Sequence, residues 1–247
     1  MMRLAALCML LAGPALAECR QALALGLDVS GSVDAREYRL QIEGLAAALN
    51  APKVREALLG QPEAPVRLTV YEWSGPVGQA VLLPWTEITD SAALDSAINQ
   101  LLSSRRRSVD LTTAIGSAIL TGYDLLGQQP DCLTRTLDLS GDGQSNTGPR
   151  PQDVDGGNSA QGIVVNGLVI GGSDTNGDLR LAEIKELSSY YSAYVIRGLG
   201  AFVETALGFE DYETAMRRKL LRELTSLAIG QTTPEEDGLV VLVKAEN

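Results

Sequence analysis

Asp28, Ser30 and Ser32 stand two residues apart at the end of the run Leu23-Ala24-Leu25-Gly26-Leu27. A carboxylate and two hydroxyls are hard oxygen donors, the ligands that Mg²⁺, Mn²⁺ and Ca²⁺ prefer. An apolar run that stops abruptly at an acid reads as a buried parallel strand delivering polar groups at its carboxyl end. That end is where open α/β sheets bind ligands. The competing reading is local: the same residue types also cap a helix N-terminus after a turn. Ser-His and Cys-His nucleophilic pairs are excluded, because the 247 residues contain no His. Glu72 and Asp138 are the acids left over for a metal-assisted hydrolase to use as a base.

The opening Asp28-Val29-Ser30-Gly31-Ser32 resembles the Asp-x-Ser-x-Ser start of the von Willebrand factor type A domain. In that family these residues begin a metal-ion-dependent adhesion site (MIDAS), which two later loops complete. The resemblance implies that Thr113, ahead of the small-residue stretch Ala114-Ile115-Gly116-Ser117-Ala118, supplies the threonine. Thr112 is the other register, since Val109-Asp110-Leu111 stands where the family pattern has glycines. Asp142, in Ser140-Gly141-Asp142-Gly143, corresponds to the second aspartate. The implied ligand set is Asp28, Ser30, Ser32, Thr113 and Asp142 around one divalent cation, Mg²⁺ first and Mn²⁺ or Ca²⁺ as alternatives. Reading Asp28 as the nucleophile of a haloacid-dehalogenase-type phosphatase fails, because Ser30 occupies the position of that family's second acid.

A closer likeness rests on four further stretches: Leu137 to Gly143, Val165-Asn166-Gly167-Leu168, Gly198 to Val203, and Arg218-Lys219-Leu220-Leu221-Arg222-Glu223. Together they resemble a bacterial family of exported type A-like proteins of unknown function. The likeness covers about Cys19 to Leu227. It implies fold, export and metal site, and it names neither substrate nor partner.

The elements that must hold these residues follow from periodicity. The fold expected is α/β: a doubly wound, mostly parallel six-stranded sheet with one antiparallel edge strand and helices on both faces. Strands are predicted at Leu23 to Asp28, Val66 to Trp73, Gln79 to Pro84, Leu133 to Leu139, Gly162 to Gly171 and Tyr194 to Arg197. Helices are predicted from Asp34 to Asn50, with Tyr38, Ile42, Leu45 and Leu49 inward, and over Ser91 to Leu102. Others follow within Asp110 to Leu126, over Leu179 to Ser189, and over Glu210 to Ile229. Asp138, inside a predicted strand, reads as a hydrogen-bonded structural acid. The basic runs Arg105-Arg106-Arg107 and Arg217-Arg218-Lys219 with Arg222 read as solvated faces. Ser173-Asp174-Thr175-Asn176-Gly177-Asp178 looks like the start of a calcium loop, but Leu179 and Lys185 replace its glycine and bidentate acid, so a helix-capping turn is the simpler account.

Residues 1–17 read as a secretory signal peptide, Met1-Met2-Arg3 followed by an apolar stretch and Ala15-Leu16-Ala17. The stretch is too short for a membrane anchor. The domain is expected over 18–229, and residues 230–247 form a tail or an added edge strand. Secretion into the periplasm or beyond would leave Cys19 and Cys132 in an oxidising compartment. Each precedes a strand leading to a metal aspartate, and in the doubly wound order these strands are parallel neighbours. A Cys19–Cys132 disulfide is therefore predicted, with free thiols or a metal pair as alternatives. Twenty basic against 31 acidic residues give a net charge of −11, which disfavours nucleic acid and anionic lipid as partners. The function expected is metal-dependent protein binding, with an Asp or Glu of a partner closing the ion's shell. The rivals are a metal-assisted hydrolase and a solute-binding or sensor subunit.

Overall fold

Ten consecutive buried residues, Cys19–Asp28, form strand β1 at the centre of the computed structural model, which describes residues 19–107, 110–172 and 177–229. Burial on both faces is what a parallel strand under two helical layers requires. The other strands are β2 (Val66–Trp73), β3 (Ala80–Ile88), β4 (Cys132–Gly141), β5 (Ile163–Ile170) and β6 (Val203–Ala206). They lie in the order β3-β2-β1-β4-β5-β6. Only the β2–β3 pair is antiparallel. The chain moves outward on one side of β1 and returns to β4 on the other, so the carboxyl ends of β1 and β4 border the topological switch point.

Helices α1 (Ala35–Asn50), α2 (Pro52–Leu59), α3 (Ser91–Leu102) and α6 (Tyr212–Ile229) cover one face, packing on Leu23, Leu25 and Leu27. Helices α4 (Ile115–Leu126) and α5 (Gly177–Tyr194) cover the other, over Ala22, Ala24, Leu137 and Leu139. The predicted inward stripe of α1, Tyr38, Ile42, Leu45 and Leu49, is fully buried. Each such side chain stabilises the fold by about 1.5–3 kcal/mol. Asp34 starts α1 with a capping box: its side chain accepts from Glu37 N–H, and Glu37 accepts from Asp34 N–H.

Several expectations need correction. The sixth strand is Val203–Ala206, not Tyr194 to Arg197. Helix α5 runs on to Tyr194 because Tyr191 and Val195 both reach the core, and Arg197 contributes only an isolated antiparallel bridge to Val165. A helix that the sequence reading did not include, α2, starts at Pro52, whose fixed φ suits the first helical position. Strand β3 continues through Pro84 to Ile88, which an edge strand with a shifted register tolerates. In α4 the helix begins only at Ile115, leaving Asp110 to Ala114 as a loop.

Cys19 faces Cys132 in the β1–β4 register, and the two form a disulfide with Cα atoms 4.5 Å apart. It ties the strand starts, at the end of the sheet opposite Asp28. The predicted export segment, the tail 230–247 and the residues Ser173 to Asn176 of the calcium-like loop lie outside the described residues; Gly177 and Asp178 belong to α5.

Candidate metal centre

Strand β1 ends in Asp28, whose side chain is completely buried. Asp28 Oδ1 accepts from Ser30 N–H at 2.8 Å, turning the chain so that both serines face the same point. Asp28 Oδ2 is buried without a hydrogen-bond partner among the described residues. Ser30 Oγ lies 3.3 Å from Ser32 Oγ, and Ser32 Oγ donates to Asp142 Oδ1 at 2.6 Å. Asp142 therefore arrives beside the first loop from 110 residues further along the chain. A side chain at Gly141 would come within 3.1 Å of Asp28 Oδ2, so the bare backbone there lets the two acids approach.

Thr113 is buried and lies in the same group of loops. Its N–H donates to Asn146 Oδ1 at 2.9 Å, and its carbonyl accepts from Asn146 N–H at 2.9 Å, which fixes it to the loop following Asp142. Two residues before it, Leu111 accepts from Gly31 N–H at 3.0 Å. One residue after it, Ala114 N–H donates to Ser74 at 2.7 Å. Thr112 spends its hydroxyl and its N–H on Asp110, at 2.8 and 2.9 Å, which favours Thr113 as the threonine that supplies a hydroxyl to the site. Gly116 lies directly against the Pro149 carbonyl, where a side chain would collide. The five residues expected as ligands, Asp28, Ser30, Ser32, Thr113 and Asp142, thus lie in linked loops at the carboxyl end of the sheet.

A family model described as "Protein of unknown function (DUF1194)" matches residues 18–228. The chain belongs to this family. No curated protein matches this DUF1194 chain. Among solved structures, proximal thread matrix protein 1 from the mussel byssus superposes with a TM-score of 0.56 at 17% identity, over 86% of this chain and 49% of its own. The same mussel protein with a zinc-occupied MIDAS motif gives 0.54 at 18% identity, over 85% and 48%. The von Willebrand factor type A structure from Catenulispora acidiphila gives 0.54 at 12% identity, over 85% and 43%. The DUF1194 chain has the type A fold, and it spans half or less of the length of these structures.

The donor set of the DUF1194 site fits a hard cation on one observation above all, the orphaned and buried Asp28 Oδ2. Burial, then the neighbouring Asp142, push the Asp28 carboxyl up to about 8. Burial also raises Asp142, with Glu37 adding to it. Two acids held together away from water are a site short of positive charge. Among the described residues no three His, Cys, Asp or Glu side chains gather as a ligand cluster. Any shell must then be completed by the hydroxyls of Ser30, Ser32 and Thr113 or by water.

Sequence reasoning missed the residues that hold this loop in place. Arg106 donates to the carbonyl of Val33 at 2.7 Å and to those of Val29 and Ser30 at 3.4 Å. Gln41 donates to the Asp28 carbonyl at 2.9 Å from within α1. Arg107 pairs with Glu72 at 3.3 Å and donates to Gly78 at 3.1 Å. The arginine run is therefore not a solvated face: two of its members clamp the loops around the site. A triple arginine just ahead of the Thr113 loop was the available signal. Tyr191, fully buried beside Gly141, lies beyond the helix predicted over Leu179 to Ser189 and carried no signal in the sequence.

Proposed function

We propose that this DUF1194 chain is an exported protein-binding module in which Asp28, Ser30, Ser32, Thr113 and Asp142 hold one divalent cation, some directly and some through water. Mg²⁺ is the first choice, with Mn²⁺ or Ca²⁺ as alternatives. The unpartnered Asp28 Oδ2 beside Asp142 carries this reading. Two carboxylates only balance a dication and the hydroxyls add no charge, so an open position on the ion favours an Asp or Glu from a partner protein. The disulfide supports an oxidising compartment, periplasmic or extracellular. Among the described residues no helix is long and apolar enough to cross a membrane.

A hydrolase built on the same ion is the weaker reading. Glu72 is 1% exposed and tied to Tyr38 Oη at 2.7 Å and to Arg107, while Asp138 lies on the α6 face paired with Lys219. Neither acid is placed to take a proton from water on the ion. A solute-binding or sensor role would rest on a cleft between two domains, and the described residues form one sheet with its helices.

Calorimetric titration of the purified protein with Mg²⁺, Mn²⁺ and Ca²⁺, beside Asp142→Ala, tests the assignment. The variant is expected to bind at least about a hundredfold more weakly, since loss of even an outer contact costs 10- to 100-fold. Equal isotherms for the two proteins remove the site. Capture of a partner from cell extract is then expected to be abolished by chelator.

A pH dependence follows from Asp28. Its carboxyl sits at about 8 in the metal-free fold, against about 3.9 unfolded. The stability this group contributes is complete below pH ~4 and is lost as pH rises through about 8, because the fold then holds an unwanted charge. A cation stabilises that charge, so the rise in melting temperature produced by saturating Mn²⁺ is expected to grow from pH 6 to pH 8.5. Melting curves with Mn²⁺ and with chelator across this range measure it; a shift that does not change with pH contradicts the assignment of Asp28.

A further inference from the structure

Two glycines on neighbouring strands leave room where Tyr191 crosses them. A side chain at Gly167 in β5 would stand 2.6 Å from the Tyr191 ring, and one at Gly141 in β4 would stand 2.5 Å from Tyr191 Oη. The ring therefore lies from β5 towards β4 in a slot that bare backbone keeps open. Its hydroxyl is carried to the end of β4, where the loop with Asp142 leaves the sheet.

The point marked by the missing Gly141 side chain is shared by three residues. Asp28 Oδ2 lies 3.1 Å from it and the edge of the Trp73 ring 3.3 Å, so the phenol oxygen and the carboxylate oxygen border one small space against the indole. Tyr191, Asp28 and Trp73 are all fully buried. Neither Tyr191 Oη nor Asp28 Oδ2 has a hydrogen-bond partner among the described residues. The first carries a proton to give, and an ionised carboxylate only accepts. Left apart, each is a buried polar group that costs free energy; joined directly or through one buried water, they satisfy each other. Burial, then the nearby Asp28 and Asp142, push the Tyr191 hydroxyl up, so it keeps its proton beside these acids.

Ser30 N–H already holds Asp28 Oδ1, so a hydrogen bond on Oδ2 would fix the carboxylate at both oxygens. Each carboxylate oxygen has two acceptor sites, so one taken by Tyr191 leaves another for the cation. Resting on the cation site proposed above, we propose that Tyr191 is its positioning residue, whose hydroxyl donates to Asp28 Oδ2, directly or through one water, and holds the carboxylate rigidly enough to favour Mg²⁺ over Ca²⁺. Mg²⁺ demands near-ideal octahedral geometry, whereas Ca²⁺ accepts a flexible shell.

Tyr191→Phe removes the hydroxyl and keeps the ring in its slot. Calorimetric titration of the parent, Tyr191→Phe and Asp142→Ala with Mg²⁺ and with Ca²⁺ is the test. Tyr191→Phe is expected to bind Mg²⁺ about 10- to 100-fold more weakly, the usual effect of an outer hydrogen bond on a metal ligand. Its Ca²⁺ affinity is expected to fall by less, so the preference for Mg²⁺ shrinks. In chelator its melting temperature is expected to stay within about 3 °C of the parent. Unchanged Mg²⁺ affinity overturns the proposal, and so does an equal loss for both ions, because a site merely loosened by poorer packing is damaged for either. A crystal structure of the Mg²⁺-loaded parent gives a second measurement: Tyr191 Oη must contact Asp28 Oδ2 or a water bound to it, and contact with neither overturns the role. If Asp142→Ala loses the cation and Tyr191→Phe does not, the site stands and only this role falls; if the parent binds no cation, both fall together.

Discussion

Lys219→Ala is expected to destabilise the protein by about 3–5 kcal/mol, more than any surface substitution. The Lys219 ammonium is fully buried between the carboxylates of Asp138 and Glu223, so its removal leaves two acids facing each other without a counter-ion. Burial, then repulsion from Glu223, already push the Asp138 carboxyl up to about 7 even with Lys219 present. Burial alone would lower Lys219, but the two carboxylates hold it above its usual value. The sign of the pH dependence follows. With its folded value raised, Asp138 contributes stability that is complete below pH ~4 and lost as pH rises through about 7. Without Lys219 the charged form is opposed still more strongly, so the loss in the variant is expected to be larger at pH 8 than at pH 5. Urea unfolding of both proteins at the two pH values, in chelator, gives the measurement. A loss below about 1 kcal/mol, or one indifferent to pH, would mean that the cluster is not held as an ion network. Replacing Asp138, Lys219 and Glu223 together by apolar residues of similar volume is expected to recover most of the lost stability.

Opening the Cys19–Cys132 bridge is the second large effect. The bond closes a loop of 113 residues between neighbouring strands, and in the chain-entropy model such a loop constrains the unfolded chain by about 4–5 kcal/mol. The double substitution Cys19→Ser with Cys132→Ser is expected to lower the urea midpoint accordingly, while cation affinity stays close to that of the parent, because the bridge joins strand starts and the candidate metal loops leave from strand ends. The same midpoint for variant and parent would show that the β1–β4 register is held without the covalent link. The measured loss is expected to fall short of the full entropic figure to the extent that the unfolded chain retains structure.

The candidate metal edge stood out in the sequence because its signals are local. Asp28, Ser30 and Ser32 share one turn, and an apolar strand ahead of them announces where that turn must sit. Thr113 and Asp142 were reachable through a family pattern, and each does stand at a loop tied to the first. The supports were less visible. Arg106 reads as one charge in a run of three, since nothing near it in sequence says that the carbonyls of Val29, Ser30 and Val33 lie within reach. Strand β6 was misplaced because Tyr194-Val195-Ile196 has strand-forming residues, while burial of Tyr191 and Val195 extends the preceding helix instead.

The clearest error concerns the last helix. Arg217, Arg218, Lys219 and Arg222 were read together as an outward face, yet Lys219 is completely buried. Its spacing held the clue: Tyr212, Met216, Lys219 and Glu223 follow one another at four, three and four residues, the stripe of a helix face. What that stripe faced was missing. A lysine can enter a core only if an acid waits there, and the acid is Asp138 from a strand 81 residues earlier.

By itself, then, the sequence determined the α/β architecture, the strand that ends in Asp28, the pairing of Cys19 with Cys132 and the loops from which Thr113 and Asp142 come. These follow from periodicity and from chemistry within a few residues. Only the tertiary structure decided which charges are buried, which arginines clamp the loops, and that Arg222 stacks on Phe202 beside the buried Lys219 cluster. Each of these depends on what the sheet brings opposite a side chain, and that neighbour is supplied by distant chain through burial and strand pairing, which no short window of residues contains.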